Sequence, residues 1–147
     1  MASITSANAA ISLSVNSLLG ASVLPQVSLQ GFATDNIYST NPVTLKEIQM
    51  GLDGRLSAGR IFQAIEMTIS LQADSPSIPW FDAWNSLELS VLDTYWANGS
   101  VWLQSLNRKW YLNNGVLHNY QALPDAGRIL AQRRYTITWE SISAAPV

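Results

Sequence analysis

Apolar and polar residues alternate strictly in several separate segments, and this period of two is the feature that most constrains the fold. Successive side chains of a β-strand point to opposite faces, so the alternation predicts strands with one buried face. The clearest segment is 65–72, in which Ile65, Met67, Ile69 and Leu71 alternate with Glu66, Thr68, Ser70 and Gln72. The same pattern places Tyr135, Ile137 and Trp139 on one face of a closing strand at 134–142.

Shorter alternations predict further strands at 7–15, 27–31, 43–50, 101–103, 110–112 and 116–120. Pro25 and the Leu18-Leu19-Gly20 segment are expected to lie outside strands, because proline cannot donate to a β-ladder. Asn113-Asn114-Gly115 is expected to end a strand, since all three residue types favour turns. The phase of the apolar residues shifts between Leu45 and Ile48, which suggests a β-bulge.

One helix is predicted over about residues 77–97. Ser77 is a favoured N-cap and Pro79 suits the first turn, where its missing N–H costs nothing. A helical stripe at spacings of three and four is formed by Trp80, Trp84, Leu87, Val91 and Tyr95. Asn98-Gly99 is the predicted end. The fold class is therefore mainly β: an antiparallel β-barrel or sandwich with one flanking α-helix, in a single domain covering 1–147.

The segment at about 43–61 predicts an extended arm. Asp53-Gly54 is a strong hairpin-turn signal, because both residues tolerate positive φ. Leu52 and Leu56 are apolar without a strong core pattern. Ordering such an arm costs roughly 1 to 2 kcal/mol per residue in backbone entropy, which a neighbouring subunit could offset by burying these side chains.

Charged residues make up only 12% of the 147 residues, against about 25% in ordinary soluble domains. So little charge indicates a surface that partners cover. No apolar run approaches the roughly 18 to 20 residues that span a bilayer, so membrane insertion is not expected. The net charge of −2 and the lack of a basic run argue against stable DNA binding. The N-terminus lacks signal-peptide features, so synthesis and folding in a cytoplasm are expected.

No motif implies catalysis, and we expect neither an enzyme nor a cofactor or metal site. His118, the only histidine, has no nucleophile or orienting carboxylate implied nearby. Asp82, Glu88 and Asp93 share the predicted helix and are interpreted as a solvated face. Six tryptophans permit a second hypothesis, an aromatic-rich sugar-binding module. Most of them follow core patterns, whereas Trp96 and Trp102 are better suited to an interface.

The order of short motifs is similar to that of the tail tube proteins of contractile-tailed bacteriophages, over about residues 10–140. The motifs that carry the resemblance are QMGLDGRLS (49–57), ISLQADSPS (69–77), FDAW (81–84), ANGS (97–100), RKW (108–110), GVL (115–117), PDA (124–126) and YTITWE (135–140). Each motif is weak alone, and their order and spacing are what make the resemblance specific.

The resemblance implies a structural virion protein of the tail: homo-hexameric rings stacked into an inner tube through which double-stranded DNA passes without specific binding. Expected partners are the tail sheath, the baseplate or tube initiator and the tape-measure protein. The arm would reach the adjacent ring through Met50, Gly51, Leu52, Asp53, Gly54, Arg55, Leu56 and Ser57.

A channel for DNA should be polar and not basic, because a cationic wall would bind phosphates. The candidates for the lumen face are Glu66, Thr68, Ser70 and Gln72, with Thr136, Thr138 and Glu140 equally suitable. Another hypothesis with the same architecture is a ring-forming tube protein of a bacterial contractile injection or type VI secretion system.

Overall fold

The computed structural model describes residues 9–17, 22–32 and 37–145. The described elements are, in chain order, β1 (Ala9–Asn16), β2 (Ser22–Ser28), β3 (Tyr38–Thr40), β4 (Lys46–Met50), β5 (Leu56–Arg60), β6 (Ile65–Leu71), α1 (Ile78–Val91), β7 (Trp96–Leu103), a 3-10 turn (Gln104–Leu106), β8 (Arg108–Tyr120) and β9 (Arg133–Ala144). The protein is mainly β with one flanking α-helix, which confirms the predicted fold class.

Seven strands form one antiparallel sheet in the order β2-β1-β7-β8-β9-β6-β3, and β4 pairs with β5 in a separate hairpin. Within the described residues the large sheet has two edges, so it is a sandwich-like, open structure and not a closed barrel. β1 and β6 are four strands apart, which would be about 19 Å in a flat sheet. The sheet must therefore curl if these two strands approach each other.

Strands β1 and β6 do approach each other, because residues 29–32, hereafter the crossing, connect them directly. Leu29 donates its N–H to the carbonyl of Ile11 in β1 at 2.8 Å, and Phe32 pairs with Leu71 at the end of β6. Three residues span at most about 10 Å, so β1 and β6 are drawn together. The sheet consequently wraps around a single core.

Polar contacts hold this crossing in place. Ser77 lies just before the helix, but its hydroxyl makes no capping bond and instead accepts the N–H of Gln30 at 2.8 Å. Ser75 donates its hydroxyl to the carbonyl of Gln30. Gly31 has φ +71 and lies so close to Ser75 that a Cβ would be 2.7 Å from the Ser75 Cβ. The serine predicted to cap the helix thus fastens the crossing to it.

The core is formed by the apolar faces that the alternation predicted. Fully buried side chains come from β1, β6, β7, β8, β9 and the helix: Ile11, Leu13, Val15, Met67, Ile69, Leu71, Ala97, Leu112, Tyr135, Ile137, Trp139, Phe81 and Trp84. Phe81 stacks on Tyr135 with ring centroids 4.3 Å apart and planes within 6° of parallel. The helix therefore covers the concave side of the sheet through aromatic packing.

The predicted helix over 77–97 is too long. The helix ends at Val91, and Leu92 adopts a left-handed conformation with φ 53. The predicted stop, Asn98-Gly99, lies inside β7, which pairs with all of β1. Gly99 is needed there because a Cβ would lie 2.3 Å from the backbone oxygen of Ser12. The predicted stripe also fails at Val91, which is exposed.

Two predicted strand breaks are also wrong. β8 continues through Asn113-Asn114-Gly115, where Asn114 takes φ 50 and donates its N–H to Oδ1 of Asn98 at 3.2 Å. Asn113 and Asn114 of β8 stand opposite Asn98 alone in β7, so β8 absorbs the irregularity as a bulge. β2 runs through Pro25, which is tolerated because β2 is an edge strand with one side free of ladder bonds.

A part-buried ionic cluster joins the helix to the sheet. The Arg133 side chain is 6% exposed, and its Nη2 lies 3.1 Å from Oδ1 of Asp82 on the helix. Arg133 also donates to the carbonyl of Gln121 from Nε (3.0 Å) and Nη2 (2.8 Å), and Tyr120 donates its hydroxyl to Asp82. Asp82 is therefore not simply part of a solvated helix face. It links the helix to the end of β8 and the start of β9.

The buried Tyr135 hydroxyl should make the free energy of unfolding fall at alkaline pH. Burial raises the pKa of Tyr135 from 10.0 to about 12, and its hydroxyl has no hydrogen-bond partner among the described residues. The unfolded chain loses this proton first, so stability is full below pH 10 and falls as the pH rises towards 12. We expect Tyr135→Phe to keep wild-type stability at pH 7 and to reduce the loss at pH 10 to 12 by about 2 kcal/mol, measured by urea unfolding. Equal alkaline slopes in both proteins would contradict this.

Gly115, at the bulge, lies where the packing leaves no room for a side chain. A Cβ there would lie 2.5 Å from Cε3 of Trp139 and 2.9 Å from Cγ2 of Ile137. We expect Gly115→Ala to lower the free energy of unfolding by about 1 to 3 kcal/mol through overpacking. Gly59→Ala is the matched control, because a Cβ added at Gly59 in β5 would meet nothing within 4 Å. Thermal denaturation of both variants should separate them.

Candidate assembly surfaces

The arm predicted from the Asp-Gly signal is a two-stranded ribbon. β4 and β5 pair in register from Lys46↔Arg60 to Met50↔Leu56. The pairing continues towards the main sheet, since Ile61 donates its N–H to the Leu45 carbonyl at 3.0 Å. Thr44 likewise donates its N–H to Oε1 of Gln63 at 3.0 Å. Residues 44–63, hereafter the hairpin arm, therefore extend the β3–β6 ladder beyond the body of the protein.

The turn of the arm is closed by local hydrogen bonds. Gly51 donates its N–H to the carbonyl of Arg55 at 2.8 Å, and Gly54 donates to the carbonyl of Gly51 at 3.0 Å. Asp53 Oδ1 accepts the N–H of Arg55 at 3.1 Å, and Gly54 adopts φ +83. The hairpin turn predicted at Asp53-Gly54 is confirmed.

The register divides the arm into two unlike faces. One face carries Ile48 and Met50 opposite Ala58 and Leu56, with Lys46 and Arg60 at its base. The other face carries Glu47, Gln49, Ser57 and Gly59. Ile48, Met50 and Leu56 are 62%, 66% and 61% exposed, and Leu52 at the tip is wholly exposed. The arm is thus amphipathic, and its apolar face is uncovered.

An exposed apolar ribbon of this kind is suited to contact with another protein surface. A two-stranded hairpin is marginal in water on its own, and all ten strand residues of this one are exposed. Sequence reasoning found Met50, Leu52 and Leu56 but missed Ile48. The Asp-Gly turn could have found it, because a turn at that place pairs Ile48 with Ala58 and puts both on the face of Met50.

A second uncovered apolar surface lies at the opposite end of β6. The segments 72–74 and 121–134 enclose an open cavity of about 1010 Å³, hereafter the loop cleft. Ile129 and Leu130 line it and are 83% and 56% exposed. Asp74 and Asp125 supply acidic side chains to its wall, and Arg134 supplies a basic one.

The proposed lumen residues lie on the outer face of β6. Glu66 and Thr68 are partly exposed and Gln72 is exposed, whereas Ser70 is buried, so three of the four reach solvent. Thr68 pairs with Thr136 and Glu66 with Thr138, with the Thr68 and Thr136 hydroxyls 3.3 Å apart. The two sets of candidates are therefore one continuous polar face. Met67, Ile69 and Leu71 of the same strand point into the core, as predicted, whereas Ile65 is only partly buried.

His118 belongs to this polar face. Its Nδ1 lies 2.9 Å from the hydroxyl of Thr138 and 3.7 Å from Oε1 of Glu66. Within residues 9–17, 22–32 and 37–145, no three histidine or acidic side chains converge to hold a metal ion. No helix in the described part of the chain is long and apolar enough to cross a membrane.

The tryptophans are divided between core and surface. Trp84 and Trp139 are fully buried, so neither can stack on a sugar ring, while Trp102 on β7 is exposed. Trp80 packs edge-on against Trp84 with centroids 5.6 Å apart. These contacts give Trp80, Trp84 and Trp139 a role in packing the helix and the sheet.

This fold is shared with chains of contractile injection systems. A structure of an extracellular contractile injection system, described as the PVC sheath/tube terminator in the extended state, matches with a TM-score of 0.59 and 13% identity over 99% of both chains. The sixfold-symmetrised baseplate of the anti-feeding prophage matches with a TM-score of 0.55 and 13% identity, over 99% of this chain and 98% of the other. The tube-terminating cap of the same prophage matches with a TM-score of 0.55 and 13% identity, over 100% and 93%.

The fold is thus one that chains of phage-tail-like contractile assemblies also adopt. The chain belongs to the family described as tail fiber protein gp32, whose model matches residues 2–143. No curated protein sequence matches the chain. The role of the protein is therefore tail-associated and structural.

The arm should be dispensable for folding. Its apolar side chains pack against nothing in the core, so the triple variant Ile48→Thr, Met50→Thr, Leu56→Thr should keep the free energy of unfolding within about 0.5 kcal/mol of wild type. Threonine preserves the β-propensity of the ribbon. Far-UV circular dichroism and urea unfolding of the dilute subunit measure the effect. A loss of several kcal/mol would mean that the arm belongs to the fold.

Proposed function

We propose that this protein is the subunit of the inner tube of a contractile phage tail, and that it forms homo-hexameric rings that stack into a channel for double-stranded DNA. It would be made in the host cytoplasm and reside in the tail of the virion. The observation that carries the proposal is the hairpin arm, a preformed amphipathic ribbon that projects from the body with its apolar face uncovered.

The arm is suited to contact between rings. From Leu45 to Leu52 it extends about 25 Å at the rise of a β-strand, which is long enough to reach a stacked neighbour. Burying Ile48, Met50 and Leu56 would each contribute about 1 to 2 kcal/mol. Six arms acting together in one ring would make stacking strongly cooperative.

The outer face of β6 and β9 is suited to line the channel. Glu66, Thr68 and Gln72, joined by Thr138, present hydroxyl, amide and carboxylate groups, whereas Thr136 is buried between them. Arg134, opposite Ser70, adds a single basic group to this face and no basic run. Such a wall binds phosphates weakly, so DNA would pass without specific contacts. The sheath would surround the tube, and a baseplate initiator and a tape-measure protein would set its start and its length.

A second candidate is a terminal ring of such a tube, in a phage tail or in a bacterial contractile injection system. The descriptions of two structures with this fold, a sheath/tube terminator and a tube-terminating cap, favour it. A terminal subunit would form rings that do not elongate, whereas a repeated tube subunit would elongate by itself.

Self-assembly of the purified chain tests the proposal. Electron microscopy and native mass spectrometry over increasing concentration should show hexamers and then long tubes. Rings that never stack would favour the terminal role. A species that stays monomeric at high concentration would overturn both roles.

The faces of the arm provide a matched pair of variants. The triple threonine variant of Ile48, Met50 and Leu56 loses about 3 kcal/mol or more of contact per arm, so tubes should need at least about 100-fold more protein to elongate. The control, Gln49→Thr with Ser57→Thr, alters the polar face and should elongate like wild type. Equal elongation of both variants would show that the apolar face is not the stacking contact.

A further inference from the structure

We infer that the loop cleft is the receptor for the hairpin arm of a second copy of this chain, an inference that rests on the proposed stacking function. The two surfaces are the arm, residues 44–63, and the cleft formed by 72–74 and 121–134. Each carries large apolar side chains that are exposed in the single subunit.

Their positions in the fold are the first argument. The arm leads into Ile65, the first residue of β6, whereas the cleft begins at Gln72, directly after Leu71, the last residue. β6 therefore separates them by about 20 Å along one strand. Copies displaced along the strand direction would bring the arm of one to the cleft of the next. Such a head-to-tail contact between two different surfaces does not close on itself and continues as a stack.

Chemical complementarity is the second argument. The charged residues on the apolar face of the arm are Lys46 and Arg60, both basic. The cleft wall has two acidic side chains, Asp74 and Asp125, against one basic side chain, Arg134. Between these charges the apolar residues of the arm would meet Ile129 and Leu130. The apolar face of the arm, with two basic residues at its base, thus faces a cleft wall in which acidic side chains outnumber basic ones.

The shape of the cleft is the third argument. Its volume of about 1010 Å³ is at the upper end of the range for small-molecule sites and it is open to solvent. The loop that forms one wall is itself a narrow turn, with Ala126 bridged to Leu130 and Ala131 donating its N–H to the Asp125 carbonyl at 2.8 Å. The loop cleft is therefore wide enough for a two-stranded ribbon, and one of its walls is an ordered turn.

Cysteine crosslinking tests this pairing directly, because the chain contains no cysteine. The double variant Leu52→Cys, Ile129→Cys is assembled and treated with a short bismaleimide crosslinker. Docking of the arm in the cleft should give a ladder of covalent multimers on a denaturing gel. Its yield should exceed by more than about tenfold that of Leu52→Cys, Leu89→Cys, because docked thiols react at a high effective concentration. Leu89 is a suitable control because it is exposed but remote from the cleft segment 72–74. The helix begins at Ile78, soon after that segment, and Leu89 lies about 17 Å further along it.

The outcomes separate this inference from the proposed function. Tubes without a ladder would overturn the arm-to-cleft contact alone. The absence of rings and tubes would overturn both. A ladder in the Leu52–Ile129 pair only would support both.

A pair of loop variants gives a second measurement without crosslinking. Ile129→Ser with Leu130→Ser should raise the concentration needed for elongation roughly tenfold or more while leaving the thermal midpoint of the subunit unchanged. Leu123→Ser is the control, because Leu123 is exposed in the same loop but does not line the cleft. Normal elongation of the Ile129/Leu130 variant would overturn the inference.

Discussion

The crossing at residues 29–32 is the constraint on which the rest of the structure depends. It binds β1 through Leu29 and β6 through Phe32, and so forces a seven-stranded open sheet to curl. Curling creates a concave side, which the helix covers through Phe81 and Trp84, and a convex side on which β6 and β9 carry polar residues. Ser75 and Ser77, at the start of the helix, hold the crossing by hydrogen bonds to Gln30. One short segment thereby links sheet curvature to helix placement.

The curled sheet also gives the subunit two distinct ends. The arm leaves at the start of β6, and the loops that follow β6 and β8 lie at its far end. The Arg133–Asp82 contact fixes this far end, because it joins the start of β9 to the helix and to the carbonyl of Gln121. A rigid body with unlike ends is the shape that repeated stacking requires. The low proportion of charged residues agrees with a surface that assembly covers.

Much of the fold could be predicted from local pattern. The alternation in 65–72 and 134–142 identified the buried faces of β6 and β9, and Asp53-Gly54 identified the hairpin. Three predictions failed, wholly or in part, at residues whose role depends on a distant segment. Gly99 is a residue type that often ends helices, but here it allows the close approach of Ser12. Asn114 is a residue type that favours turns, but here it lies in a bulge and bonds to Asn98. Ser77 resembles a cap but binds Gln30.

The sequence by itself determined which residues face the core and which do not, because the period of two acts within each strand and needs no partner. It also determined that a segment near Leu52 and Leu56 had no core to join. Only the tertiary structure decided that Thr68 and Thr136 share one polar face, and that the arm and the loop cleft lie at opposite ends of β6. The order and register of paired strands set these relations, and hydrogen bonding between residues distant in sequence is not encoded in any single segment.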